Sequence, residues 1–339
     1  FSSRRRHTRY ISVTGVQTCA LPIYVHTHML NDAWVKLLEK HGGKYTLKAV
    51  TGGLRAIHLD GAPFMTPIPE MFDWELRIRN MDRVGIDVSV VSLTCPNVFW
   101  GGEKVSTQAA VVMNDELAKA RKHWPRRIQF FASLPWQYEK AALAELKRAR
   151  KAGACGVMVL ANIGGKPLTD PSFANIWKAI DAAELPVLIH PTAPPGVKEM
   201  AMDEFQLTAS IGFTADTTLA VARMIYDGFF DRYQKLKIIA SHGGGTLPFL
   251  IGRMDQCYEF IPACRTKTVE KPSLHARRIF CDSVVFTDEA LAMAVKVFGS
   301  DNVLYGSDYP HTIGDPIGCL ARVDRLPDGV RNRVRGENA

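Results

Sequence analysis

The 339-residue sequence predicts an α/β protein, a (β/α)8 TIM barrel with a small cap hairpin inserted after the first strand. Short apolar runs alternate along the chain with longer amphipathic segments, which is the pattern of repeated strand–helix units around a parallel sheet. No Pro-, Gly- or Ser-rich linker divides the chain. The alternation therefore favours one closed barrel over two separate domains.

Eight apolar runs predict the barrel strands, at residues 23–26, 87–93, 128–134, 156–160, 187–190, 238–242, 278–282 and 303–305. Seven amphipathic segments predict helices, at 73–84, 103–123, 138–152, 172–183, 214–229, 246–260 and 287–298. In the first helix, Leu76, Met81 and Val84 share one face, and Gly85 is a residue that commonly ends a helix.

Residues 31–72 interrupt the alternation of strands and helices. Stretches 45–50 and 54–59 flank Thr51-Gly52-Gly53, a sequence typical of a hairpin turn. We expect this insertion to stand over the top of the barrel as its cap.

Histidine and aspartate residues end several of the predicted strands. His26 and His28 are two residues apart, so in a strand both imidazoles point to the same side. His190 ends the fifth strand, His242 ends the sixth and Asp308 follows the eighth. Because barrel active sites lie at the carboxyl ends of the strands, these groups should meet, and burying them without partners would be costly. A divalent metal removes that cost; unrelated structural histidines are the alternative.

We assign the metal to His26, His28, His190 and Asp308, which supply three nitrogens and one carboxylate oxygen. That ligand set suits Zn²⁺, with Mn²⁺ or Fe²⁺ as alternatives. His242 is better suited to carry a proton, because imidazole titrates near neutral pH. The fourth strand ends without a lysine that could become a bridging carboxylated ligand, so we expect one metal and not two.

Composition excludes several other classes of protein. The net charge is +8, but four arginines lie within residues 1–23, and the other basic residues are interleaved with acids. This pattern is typical of solvated helix faces and argues against a nucleic-acid partner. No stretch is long enough to span a membrane. The seven scattered cysteines lack a CxxC pair, which favours reduced thiols in the cytoplasm.

The first 23 residues look foreign to the fold, and we expect the barrel to occupy residues 24–339. Stretches 2–10 and 16–23 resemble the translated adapter read-through found in metagenomic gene assemblies. A signal peptide is the alternative, but polar residues interrupt the apolar run that such a peptide requires.

Four motifs occur in order at the predicted strand ends: His26-Thr27-His28, Leu188-Ile189-His190-Pro191, Ala240-Ser241-His242-Gly243-Gly244-Gly245 and Gly306-Ser307-Asp308-Tyr309-Pro310. Together they resemble the aminocarboxymuconate-semialdehyde decarboxylase-like branch of the amidohydrolase superfamily, over residues 24–339. The resemblance implies a capped (β/α)8 barrel with the four metal ligands assigned above and a catalytic His242. It also implies that Arg253 reaches the active site of a neighbouring subunit, as part of a homodimer.

The cap departs from the family pattern. The namesake enzyme has a substrate-binding arginine on this hairpin, where the present chain has Met65, and Arg55 is nearby but out of register. This difference favours a relative that acts on another small carboxylic acid.

The leading functional hypothesis is non-oxidative decarboxylation of an aromatic or unsaturated carboxylic acid. A metal that chelates the carboxylate would fix its geometry, His242 or Asp308 would handle the proton, and Arg253 would pair with a carboxylate. The same site could instead hydrolyse an ester, lactone or amide, with a metal-activated water as nucleophile. A non-catalytic metal-binding protein is a third possibility.

Overall fold

A computed structural model describes residues 21–339 and shows a parallel eight-stranded sheet whose strands follow chain order. The strands are β1 (Ile23–Tyr24), β2 (Val88–Val91), β3 (Ile128–Ser133), β4 (Gly156–Leu160), β5 (Pro186–His190), β6 (Lys237–Ala240), β7 (Phe280–Asp282) and β8 (Val303–Leu304). All eight predicted strands are confirmed. Residues 1–20 of the predicted leader lie outside the described residues, whereas Ile23 pairs with Val88 of β2.

Backbone hydrogen bonds between the chain after β1 and the chain after β8 close the sheet into a barrel. The Val25 N–H donates to the Tyr305 carbonyl at 2.9 Å, and the His28 N–H donates to the Tyr309 carbonyl at 2.8 Å. This closure brings the His26-Thr27-His28 motif beside Asp308, although 280 positions separate His28 from Asp308 in the sequence.

The seven predicted helices are all present, at Trp74–Val84, Gly102–His123, Glu139–Lys151, Ala174–Ala182, Phe213–Tyr226, Leu247–Phe260 and Asp288–Phe298. The structure adds helical segments that the pattern did not predict, at Asp32–His41, Phe229–Arg232, Pro272–Ala276, Pro316–Asp324 and Asp328–Asn332. No helix within residues 21–339 is long and apolar enough to cross a membrane.

The cap consists of the helix Asp32–His41 and a three-stranded antiparallel sheet. The predicted hairpin is confirmed as Tyr45–Ala49 paired with Arg55–Leu59, and a third strand, Ala62–Met65, pairs with the second. Trp34 and Leu38 of the helix are fully buried with Ile57 and Met65 of the sheet in one apolar cluster. The same cluster contains Leu93, Val98 and Met113, so the cap packs on the loop after β2 and on the helix Gly102–His123.

Candidate metal centre

His26, His28, His190 and Asp308 converge at the carboxyl end of the barrel. His26 and His28 follow β1, His190 is the last residue of β5, and Asp308 lies four positions beyond the end of β8. All four are buried, and one ligand atom from each lies within 4.8 Å of the corresponding atoms of the others. The structure thus brings together the four side chains that the sequence analysis assigned to a metal.

The distances between the ligand atoms match a small coordination polyhedron. His26 Nε2 lies 3.1 Å from His28 Nε2, and Asp308 Oδ1 lies 3.3 Å and 3.2 Å from these two atoms. His190 Nε2 lies 4.0 Å from the same carboxylate oxygen. A tetrahedron with metal–ligand bonds of about 2.0–2.1 Å has edges of about 3.4 Å. Three nitrogens and one oxygen at this spacing fit a single divalent ion.

The other ring nitrogen of each histidine has a partner that aims Nε2 at the centre. His26 Nδ1 lies 2.6 Å from Asp282 Oδ2, His28 Nδ1 lies 3.2 Å from Ser92 Oγ, and His190 Nδ1 lies 2.8 Å from the Pro191 carbonyl oxygen. Such outer contacts fix ring orientation and tautomer in metal sites. His190 Nε2 is buried without a hydrogen-bond partner among residues 21–339, as expected of an atom that is reserved for a ligand.

The electrostatics of the centre favour a cation. Burial opposes protonation of His26, but the carboxylates of Asp282 and Asp308 outweigh it and raise the His26 pKa to about 10. Burial lowers the pKa of His28 to about 3 and that of His190 well below its usual value. Two buried carboxylates therefore require positive charge, and two histidines are held neutral, the form in which imidazole binds a metal.

Asp282 is a site residue that sequence analysis missed. It ends β7, is fully buried, and accepts hydrogen bonds from the backbone N–H groups of His242, Gly243 and Val284 at 3.0, 3.0 and 2.9 Å. Its available signal was a carboxylate at a strand end, the same signal that identified Asp308. One side chain thus orients His26 and also holds the turn that carries His242.

The structure corrects the predicted end of the sixth strand. The strand stops at Ala240, and His242 lies in a left-handed turn with φ of 55°. A continued strand cannot hold this conformation, which Asp282 stabilises through its two hydrogen bonds to the turn. His242 Nε2 lies 3.6 Å from Asp308 Oδ2, whereas the other three histidines lie nearer Asp308 Oδ1. His242 is thus at the centre without joining the four-residue ligand set.

The metal-ligand cluster does not include Arg253, Arg55 or Met65, the other three residues that the sequence analysis discussed. Arg253 is exposed on the helix Leu247–Phe260. Arg55 forms an exposed ion pair with Glu39, and Met65 packs into the apolar cluster of the cap. In this chain neither position 55 nor position 65 places a cation beside the metal centre.

A cavity of about 740 Å³ lies between the cap and the barrel mouth. Its wall includes Tyr45 and Phe64 from the cap, Phe99 from the loop after β2, and Thr192, which follows His190 by two positions. The volume suits a small-molecule ligand. None of the four candidate ligands lines the cavity, so its connection to the metal centre is the short segment from His190 to Thr192.

Comparison with known proteins identifies the family. The Amidohydrolase family model matches residues 25–339. The 2-amino-3-carboxymuconate-6-semialdehyde decarboxylase of Dictyostelium discoideum is 30% identical over 328 residues, which cover 94% of this chain and 90% of the relative.

Solved structures share the architecture. The 5-carboxyvanillate decarboxylase LigW of Sphingomonas paucimobilis is 25% identical with a TM-score of 0.81, covering 94% of this chain and 97% of that one. A dihydroxybenzoic acid decarboxylase of Polaromonas, solved with manganese and 2-nitroresorcinol, has the same fold at 21% identity and a TM-score of 0.76, covering 94% and 95%. The chain belongs to the amidohydrolase family.

Proposed function

We propose that this amidohydrolase is a metal-dependent, non-oxidative decarboxylase of an aromatic or unsaturated carboxylic acid. The observation that carries the proposal is the convergence of three histidine Nε2 atoms and one aspartate oxygen in a buried cluster. The short segment from His190 to Thr192 connects this cluster to the wall of a cavity of small-molecule size. The decarboxylase names of the relatives support the same reaction class.

We assign the ion to His26, His28, His190 and Asp308. Zn²⁺ suits three imidazole nitrogens and one carboxylate oxygen at tetrahedral spacing, and the manganese in the Polaromonas enzyme makes Mn²⁺ the main competitor. When bound, the ion would chelate the substrate carboxylate with a neighbouring oxygen and withdraw electron density from the carbon that loses CO2.

His242 and Asp308 are placed to manage the proton. His242 Nε2 is 3.6 Å from Asp308 Oδ2, and the His242 backbone is fixed by Asp282. Protonated His242 delivers its proton to the carbon that bears the carboxylate. The bond from that carbon to the carboxylate then breaks, its electron pair restores the unsaturated system, and CO2 leaves. The substrate thereby avoids a free carbanion.

The helix that carries Arg253 offers a surface for a second subunit. Phe249, one turn before Arg253, is 77% exposed and lies with Pro248, Met293 and Val297 along one apolar groove. We propose that this face forms a homodimer in which Arg253 pairs with a substrate carboxylate in the neighbouring site.

The six cysteines in the described part of the chain are free, which supports a reducing compartment such as the cytoplasm.

Incubation of the zinc-loaded protein with a panel of hydroxybenzoates and lactones tests the proposed reaction. We expect CO2 release in proportion to acid consumed, together with an unchanged lactone pool. Acid consumption without CO2, or lactone opening in its place, would replace the decarboxylase with the hydrolase of the same family.

A further inference from the structure

The polar groups inside the cavity are few and neutral. Every charged residue that lines it is exposed: Lys44, Asp60, Lys198, Glu199 and Asp203. The buried polar side chains of its wall are Tyr45, Asn162 and Thr192, which are 8%, 8% and 6% exposed. A ligand group that enters the cavity therefore meets hydroxyl and amide groups, with the charged groups at the rim.

Asn162 is already committed to the protein. Its amide nitrogen donates to Asp216 Oδ1 and Oδ2 at 3.0 and 3.1 Å, and its carbonyl oxygen accepts from the Gly165 N–H at 3.0 Å. The Thr192 N–H donates to the same Asp216 at 3.0 Å. These contacts hold the wall of the cavity but leave the amide of Asn162 little capacity for a ligand.

Tyr45 has that capacity. Its ring is flanked by Phe64, with ring centroids 5.9 Å apart, and by the Lys44 ammonium, 5.4 Å from the ring centroid. Its hydroxyl lies next to the side chain of Thr192, two positions beyond His190. A phenol hydroxyl both donates and accepts, so Tyr45 can bind a ligand while Thr192 remains its neighbour.

We propose that Tyr45 is a specificity-determining residue whose hydroxyl binds a neutral polar substituent, such as a ring hydroxyl, on the substrate. The inference rests on the proposed function and names the substrate more narrowly: an acid with one carboxylate, at the metal, and an uncharged polar group at Tyr45. A second carboxylate at this point would lose its water, and the cation beside Tyr45, the Lys44 ammonium, is exposed and screened by solvent, so the cost of burying that charge would be poorly offset. Position 65 carries an uncharged methionine and Arg55 pairs with Glu39 at the surface, so neither residue offsets that cost.

Binding by the zinc-loaded full chain tests the proposal. Calorimetry compares 2-hydroxybenzoate with the series that carries one added hydroxyl at each remaining ring position, and with the series that carries one added carboxyl. We expect at least one added hydroxyl to tighten binding about tenfold, and no added carboxyl to do so. Tyr45→Phe should abolish the preference for an added hydroxyl, whereas Tyr138→Phe, outside the cavity wall, should keep it.

The proposal is overturned if the wild-type protein shows no hydroxyl preference, if an added carboxyl binds more tightly, or if Tyr45→Phe keeps the preference. The wild-type comparison alone decides these first two outcomes, so the test holds even if the variant folds poorly. CO2 release, measured in parallel, reports on the reaction separately. Hydroxyl-selective binding without CO2 would retain the role of Tyr45 and remove the decarboxylase.

Discussion

At the scale of single residues, the centre separates residues that hold the ion from the one that moves the proton. His26 and Asp308 contribute atoms to the ligand cluster, whereas His242 packs against the rings of His26 and His190 and its Nε2 lies 3.6 Å from the second oxygen of Asp308. His26→Ala or Asp308→Ala should therefore abolish stoichiometric metal uptake. His242→Ala should retain the ion and lose turnover by a factor of about 10²–10⁴, the usual contribution of general acid–base catalysis. Elemental analysis with steady-state rates checks both; equal metal loss in all three variants would make His242 a ligand.

Asp282 acts through His26 and therefore gives a second residue-scale prediction. Asp282→Asn keeps the size of the side chain but removes the charge that orients and polarises the His26 ring, so metal affinity should fall about 10–100-fold. Competition with a chelator measures the change, and Asp328→Asn, at an exposed surface ion pair, is the control. Unchanged affinity in Asp282→Asn would show that this contact serves only the fold.

At the scale of elements, Asp216 of the helix Phe213–Tyr226 accepts hydrogen bonds from Asn162 and Thr192 and so connects two loops of the cavity wall. Burial raises the pKa of Asp216 to about 6, from an ordinary value of 3.8. The folded state therefore favours the protonated acid, and its stabilising contribution is lost as pH rises from about 3.8 to about 6. Relative to Asp216→Asn, the wild-type free energy of unfolding should fall by about 2 kcal/mol between pH 4.5 and 7.

Urea denaturation of both proteins at several pH values measures this difference. Asp328→Asn is the matched control. Because the Asp328 carboxylate is exposed, the difference in free energy of unfolding between wild type and this variant should show no comparable change with pH. Parallel stability curves for wild type and Asp216→Asn would show that Asp216 is not penalised by burial.

The barrel elements were predictable because burial on both faces makes parallel strands read as apolar runs. The cap was harder. Pro63 lies within the third cap strand, where proline ordinarily argues against a strand, and this strand is an edge strand of the small sheet. The helix Asp32–His41 begins after Asn31, whose side chain accepts from the Trp34 N–H, but a single capping residue does not distinguish a helix from the rest of the insertion.

The sequence predicts the metal ligands of the site but not the residues that orient them. His26, His28, His190 and Asp308 sit at strand ends, and barrel topology brings strand ends together. The contact between Asp282 and His26 crosses 256 positions and depends on side-chain rotamers that no local pattern encodes. The sequence does not predict the left-handed turn at His242 either, because this backbone conformation is uncommon for a residue other than glycine.

At the scale of the whole molecule, the proposed dimer makes Arg253 part of the neighbouring active site. Phe249→Glu places a charge in the exposed apolar groove on the same helix, so it should convert the dimer to monomer and reduce activity to the level of Arg253→Ala. Light scattering after size-exclusion chromatography gives the mass. Val269→Glu, at an exposed apolar position outside that groove, is the control. A wild-type monomer with full activity would remove the dimer and the role of Arg253 together.

The central claim is that one divalent ion joins parts of the chain that are far apart in sequence. Anomalous diffraction at the zinc edge, from crystals of the zinc-loaded protein, tests it directly. We expect one strong peak per chain, about 2.0–2.2 Å from the Nε2 atoms of His26, His28 and His190 and from a carboxylate oxygen of Asp308. A peak bound elsewhere, or none at full zinc loading, would contradict the metal centre and the decarboxylase built on it.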